Sequence, residues 1–246
     1  MPTSTAPGKL QRVRHTIASR GLVRGLLDVA SVLTSYDPER DSDFDERFGT
    51  DTSGAVAVTD LGIEQQRLRD NAIRYLPSPM GVTRWMLNNV GVDFPNTSFI
   101  DVGCGKGRVL LVATEFPFRR VVGVEISPQL CAIARRNAAI YRPTSRKCAD
   151  VEVLAMSALD VEFPPTDLLL HLYHPFDVAI TRDLLQRLGA SLRAQPRTVV
   201  IAYLAYESAL DAIQSVFAEF DWLRLARREG SVLGQYDWLI YRNVAG

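Results

Sequence analysis

Cysteine is scarce: Cys104, Cys131 and Cys148 lie far apart in a chain of 246 residues. An odd count leaves no complete disulfide framework, and the wide spacing lacks the close pairs of a zinc site, so the composition suits a reducing cytoplasm and predicts no metal. An excess of one charge is missing too, because Lys plus Arg and Asp plus Glu both number 28. No chain-wide field then draws the protein to nucleic acid or to an anionic membrane, and a charge-driven partner would have to meet a local patch. No apolar run is long enough to span a bilayer. The basic segment from Lys9 to Arg24 leads into "GLLDVASVL", but Asp28 interrupts that run and no small-residue cleavage pattern closes it, unlike a signal peptide. Internal repeats and low-complexity tracts are absent.

What is present is enough apolar sequence, 47% of residues, for one sizeable core in a single α/β domain. Residues 1–8, rich in Pro, Ser and Thr, have nothing to bury and read as a disordered tail. From Gln11 to Leu33 the apolar positions Leu22, Leu26, Val29 and Leu33 recur at helical spacing beside Arg14, Arg20 and Arg24. Docking of this amphipathic helix on the main domain is the simpler expectation, contact with a membrane or partner the other. "YDPERDSDFDERFG" reads as an acidic, turn-rich surface connector. These signals divide the chain into a tail (1–8), a helical cap and connector (9–75) and a main domain (76–246).

"PSPMGVTRWMLNNVG" predicts a helix with Ser78 as cap, Pro79 in its first turn, Gly91 as its stop and Val82, Trp85, Met86 and Asn89 on the inner face. Strands and helices then alternate: strands at Ser98 to Val102, Val121 to Glu125, Val151 to Leu154, Leu168 to Tyr173 and Thr198 to Tyr203, with helices near 107–114, 128–141 and 179–192. Continuous Val, Ile and Leu runs joined by helices indicate a parallel sheet covered on both faces. A helix near 210–220 and "WLRLARREGSVLGQYDWLIYR" follow, the latter two β-rich runs about a Gly-containing connection, hence an antiparallel hairpin.

"FIDVGCGKGR" carries the strongest chemical signal. In an open parallel sheet the ligand crevice lies beyond the carboxyl ends of the strands, and Gly103, Gly105 and Gly107 let the first strand-to-helix turn approach a ligand closely. Asp101 ends that strand, where a carboxylate orients loop amides or accepts from an ammonium group. Glu125 ends the next strand, placed to take hydrogen bonds from ribose hydroxyls, and Ser127 and Pro128 start the following helix. Nicotinamide sites share a glycine turn and a later carboxylate. The acidic residue directly before the first glycine, the tight Gly-x-Gly-x-Gly spacing and a single sheet closed by a hairpin favour S-adenosylmethionine instead.

On these residues the chain, from about Leu76 to its end, resembles the class I S-adenosylmethionine-dependent methyltransferases. The resemblance implies a three-layer α/β/α, doubly wound, seven-stranded and mostly parallel sheet with a C-terminal antiparallel hairpin. It implies that Asp101 and the glycines hold the methionine portion, that Glu125 binds ribose, and that S-adenosyl-L-homocysteine is the product. Where many members carry an Asp for the adenine amino group, this sequence has Ser157 and Ala158; Ser157, a backbone carbonyl or Asp160 would have to replace that contact. In "RYLPSPMG", Tyr75 and Ser78 are lid candidates, with packing and capping as their alternative roles.

"LLLHLYHPFD" then takes on meaning, because Tyr173 and His174 emerge at the end of the fourth strand, where methyl transfer occurs. Pro175 terminates the strand by withholding an amide. Methyl transfer is an in-line displacement needing alignment and a deprotonated nucleophile, so His174 suits a base and Tyr173 suits orienting an amine or packing on the sulfonium. The other role for both is to shape the pocket mouth. Amino-methylating relatives carry Asn or Asp, Pro-Pro and an aromatic here; His-Pro-Phe departs from that, so amino methylation of a nucleobase does not carry over. His171 reads as a hydrogen-bonded core residue, and His15 gets no role.

The expected activity is methyl transfer to a nucleophilic N or O acceptor, a small molecule in preference to a protein, with no nucleic acid and no membrane span. A protein lysine acceptor, a non-catalytic S-adenosylmethionine-binding protein and a nicotinamide oxidoreductase are the competing readings.

Overall fold

The computed structural model of the protein describes residues 38–230 and 236–244. The tail, the amphipathic helix from Gln11 to Leu33 and the tip of the C-terminal hairpin lie outside the described residues.

Seven strands form one sheet: β1 (Thr97–Val102), β2 (Arg120–Glu125), β3 (Val151–Ala155), β4 (Asp167–Tyr173), β5 (Val199–Tyr206), β6 (Leu223–Gly230) and β7 (Tyr236–Asn243). Their spatial order is β3-β2-β1-β4-β5-β7-β6. The first five are parallel, whereas β7 runs antiparallel to both β5 and β6. Winding proceeds from β1 outward to β3 and then resumes on the other side with β4, so the crevice of this doubly wound sheet opens where β1 and β4 diverge.

Helices cover both faces, as the uninterrupted apolar strands require. One face packs against α3 (Met80–Asn89), α4 (Arg108–Ala113) and α5 (Pro128–Ile140), and the other against α6 (Val178–Ala194) and α7 (Leu210–Phe217). Sequence chemistry sets several helix starts: Ser127 Oγ accepts from Leu130 N, with Pro128 following, and Asp177 caps α6 through Ala179 N and Ile180 N. Gly91, at φ 65°, follows α3 as expected of a left-handed stop.

Two local expectations fail. Ser78 makes no capping bond, because Pro79 occupies the cap position of α3, and the buried residues of that helix are Met80, Thr83, Met86 and Leu87. A helix starting at Met80 turns Val82, Trp85 and Asn89 partly or wholly out of the core. The acidic stretch read as a connector contains α1 (Pro38–Phe48). Phe44 and Phe48 stand four residues apart and close on Tyr141, with ring centroids 5.5 and 4.8 Å away. Asp45 then accepts from the backbone N–H of Thr52 and Ser53 and from the hydroxyls of Thr50 and Thr52. Burial opposes its charge, but those bonds win and bring its pKa down to about 2.

A short helix, α2 (Gln66–Asn71), lies in a strap that returns toward the sheet. Ile73 N donates to Pro175 O and Asp177 N donates to Asn71 O, while Val56 and Tyr75 exchange both backbone bonds. Leu61, Ile63 and Leu130 are buried together beneath it.

Candidate active site

At the β1/β4 divergence lies a cavity of about 110 Å³. Its wall includes Tyr75, Asp101, Gly103, Glu125, Ser157 and Ala158 from the cofactor expectation, and Tyr173 and His174 from the catalytic one. Gly105 and Gly107 are behind the wall. Gly105, at φ 54°, is covered by the Tyr75 ring, which a Cβ there would meet at 2.2 Å. Gly107 caps α4 in left-handed geometry, 3.2 Å from Ala134 by the same measure. Gly103, at φ 74°, lies against Pro175, whose Cβ a side chain would meet at 2.5 Å. The glycine turn and the His-Pro-Phe turn thus pack on one another, and only glycine permits it.

The two expected carboxylates are buried at the ends of adjacent strands. Glu125 Oε2 accepts from Gly105 N at 2.9 Å and Oε1 from Ser127 N at 2.8 Å. Burial raises its pKa above the usual carboxylate range, against the pull of those amides. Each oxygen retains a lone pair for a hydroxyl donor. Asp101 Oδ1 meets His171 Nδ1 at 2.6 Å in the core, as the reading of His171 as a hydrogen-bonded core residue anticipates. Cys104 also lines the cavity, but burial pushes its thiol well above the ordinary range, so it is no nucleophile.

Ser157 caps a short turn by accepting from Leu159 N at 3.1 Å, which leaves its own proton to donate. With Ala158, Met156, Phe176 and Ile180 it borders an apolar slot. Tyr75 Oη donates to Thr52 O at 2.7 Å, so the ring is pinned over the glycine turn from the strap side. Ser78 lines the cavity without capping anything.

Across the crevice the wall is aromatic. His174 adopts φ 40°, a conformation costing roughly 1 to 3 kcal/mol for a residue with a side chain. Its Nδ1 is 3.0 Å from Tyr203 Oη, and burial lowers its pKa, so the ring is neutral at pH 7. Tyr173 packs with Tyr206 and Tyr236 at centroid distances of 5.9 and 5.6 Å. Burial first, then hydrogen bonding with those two phenols, raises its pKa far above the ordinary range. Sequence reading missed Tyr203, Tyr206 and Tyr236. Their signal was topological: β5 and β7 pair Tyr206 with Tyr236 at the end of the sheet where β4 delivers Tyr173.

A closely packed glycine turn that presents Gly103 to the cavity, two buried carboxylates on successive strands and apolar side chains beyond them suit the methionine, ribose and adenine portions of S-adenosylmethionine in turn. The comparisons agree. Residues 100–205 match a family model described as "Methyltransferase domain". The ribosomal protein L11 methyltransferase of Alteromonas mediterranea is 38% identical over 55 residues, which is 22% of this chain and only 18% of that protein. The L11 methylase of Lactobacillus delbrueckii subsp. bulgaricus superposes with a TM-score of 0.50, at 17% identity over 67% of this chain and 78% of that one. TrmN of Thermus thermophilus gives 0.51, at 15% identity over 68% of this chain and 49% of that one. Among the described residues no helix is long and apolar enough to cross a membrane.

These comparisons correct one expectation. A small-molecule acceptor is expected from compactness and balanced charge, yet the relatives matched by sequence and by fold are named for a macromolecule, ribosomal protein L11. Net charge sums over the whole surface and carries no information on local recognition. Sheet order, glycine turn and family match agree on residues 100–205 as a methyltransferase domain of the class I, Rossmann-like type.

Proposed function

We propose that this protein transfers the methyl group of S-adenosylmethionine to a nucleophilic nitrogen or oxygen of a macromolecular acceptor in the cytoplasm, using a methyltransferase domain at 76–246 behind a cap at 9–75. A protein acceptor is favoured over RNA, since a ribosomal-protein methyltransferase is matched by sequence and by fold. The observation that carries the reading is the convergence of Asp101, Gly103 and Glu125 with Tyr173 and His174 on one crevice.

In this reading Asp101 holds the α-ammonium of the cofactor, Glu125 the ribose hydroxyls, and Ser157 and Ala158 border the adenine. Gly105 and Gly107 shape the turn from behind, and Tyr75 covers it. The bound cofactor supplies an electrophilic methyl carbon; the chain supplies alignment and proton removal. His174 is the base, neutral at pH 7 with Nδ1–H donating to Tyr203 Oη, so that Nε2 carries the lone pair that takes the acceptor's proton. Tyr173, flanked by Tyr206 and Tyr236, orients the incoming group.

Calorimetric titration with S-adenosylmethionine, S-adenosylhomocysteine and NAD tests the cofactor. Binding of the first two and not of NAD is expected. Transfer of labelled methyl groups into ribosomal protein or RNA fractions then tests the acceptor. Binding without transfer into either would favour a non-catalytic cofactor-binding protein, and NAD binding alone would sink the reading.

A further inference from the structure

We infer that His171 is a positioning residue for the cofactor, orienting an ionised Asp101 toward the cofactor's α-ammonium. The inference rests on the cofactor reading above and assigns it a residue that does not line the cavity.

Asp101 on β1 and His171 on β4 are register partners in a parallel pair, so their side chains rise side by side from one face of the sheet. The side chains are 3% and 1% exposed and meet at 2.6 Å. A carboxylate carries no proton, so the proton in this contact belongs to Nδ1. In the neutral ring Nε2 is then a bare acceptor, buried and without a partner. Trp238 Nε1 is likewise buried and without a partner, and an indole nitrogen can only donate. The two rings lie 5.5 Å apart between centroids, inclined by 57°. The indole beside His171 thus offers no acceptor, and a second proton, on Nε2, would be buried without a partner among the described residues.

A doubly protonated ring would set donor against donor in an apolar surrounding that also includes Phe99. It would also cancel much of the charge on Asp101. The neutral ring leaves that charge in place, fixes one carboxylate oxygen, and frees the other for the cavity that Asp101 lines. Glu125 lines the same cavity, so Asp101 shares it with a second carboxylate, and the His171 N–H behind Asp101 is a donor that favours its charged form.

The test uses two ligands that differ in the amino-acid portion alone: S-adenosylhomocysteine and methylthioadenosine, which lacks the ammonium. By calorimetry, His171→Leu should weaken the first roughly 10- to 100-fold and leave the second within about twofold. His171→Asn, whose amide N–H falls near the place of Nδ1, should recover most of the loss, whereas His171→Gln, which reaches the place of Nε2, should not. Equal weakening of both ligands, or no weakening of S-adenosylhomocysteine, overturns the inference. Should His171→Leu fail to fold, ¹⁵N-edited NMR of the intact protein decides: a neutral Nδ1–H ring at pH 7 is expected, and a doubly protonated ring or an Nε2–H tautomer overturns it. Failure of the cofactor reading looks different, since Asp101→Asn would then bind S-adenosylhomocysteine as well as the unaltered protein does.

Discussion

The two walls of the crevice are built by different means. On the side proposed for the cofactor, turns are set by neighbouring residues: three glycines, a carboxylate before them that meets His171, and another ending the next strand that accepts from the amides of Gly105 and Ser127. On the side proposed for the acceptor, Tyr173 and His174 at the end of β4 line the crevice and are backed by Tyr203 and Tyr206 of β5 and Tyr236 of β7, which meet because β7 inserts between β5 and β6. The first wall depends on backbone conformation and tolerates little. The second depends on side-chain packing, where single changes alter fit more than fold.

Substitutions can sharpen or break that contrast. The largest effect is expected from Gly105→Ala, where the added carbon meets the Tyr75 ring at 2.2 Å in a backbone conformation already unfavourable for alanine. Cofactor affinity should fall by more than about 100-fold, or the melting temperature by several degrees. Adding Tyr75→Ala should recover the steric part, and calorimetry on both variants reads the coupling. If Gly105→Ala binds normally, the cofactor wall is less rigid than its geometry indicates.

On the opposite wall, His174→Ala should lower kcat by roughly 100-fold or more while leaving cofactor affinity nearly unchanged. Because burial lowers the pKa of His174 below its ordinary 6.5, the rate should be flat at neutral pH and fall only in the more acidic range, as the base protonates. A pH profile of kcat in the unaltered protein, missing from His174→Gln, checks this. Weakened cofactor binding in His174→Ala would erase the division between walls.

Glu125→Ala is expected to weaken S-adenosylhomocysteine by roughly 1 to 3 kcal/mol, partly through lost ligand bonds and partly through the stranded amides of Gly105 and Ser127. Asp45→Ala acts on stability and should cost roughly 2 kcal/mol at pH 7. The pKa of Asp45 is depressed from 3.8 to about 2, so its contribution is full above the unfolded value and disappears as pH falls through the folded one. Denaturant unfolding at pH 7 and pH 2 should show a difference between variant and parent at the first and little at the second. Ser157→Ala should change adenosine affinity least, by less than about 1 kcal/mol.

Much of the fold is legible because its strands are continuous Val, Ile and Leu runs, which have few alternatives to a buried parallel sheet. The cofactor wall is legible because its chemistry is contiguous, from Asp101 through Gly107. The acidic stretch around Phe44 was misread for a local reason: its charge dominates composition, while two phenylalanines four residues apart decide the structure. The inner face of α3 was rotated because Pro79, not Ser78, begins it. The acceptor wall was half legible. "LYHPFD" marks a strand end, but no local pattern pairs Tyr173 with residues 33 and 63 positions further on, since strand order is a long-range property. The pairing of Asp101 with His171 was hidden for the same reason.

Buried Asn137 on α5 donates to Asp51 O and to Lys106 O and accepts from Asp51 N. One side chain therefore replaces a strand of hydrogen bonds between the segment before the strap and the glycine turn. Neither can open to solvent without stripping the other, so their amides should exchange with deuterium as a single cooperative unit, and a cofactor that slows exchange at Lys106 should slow it at Asp51 as well.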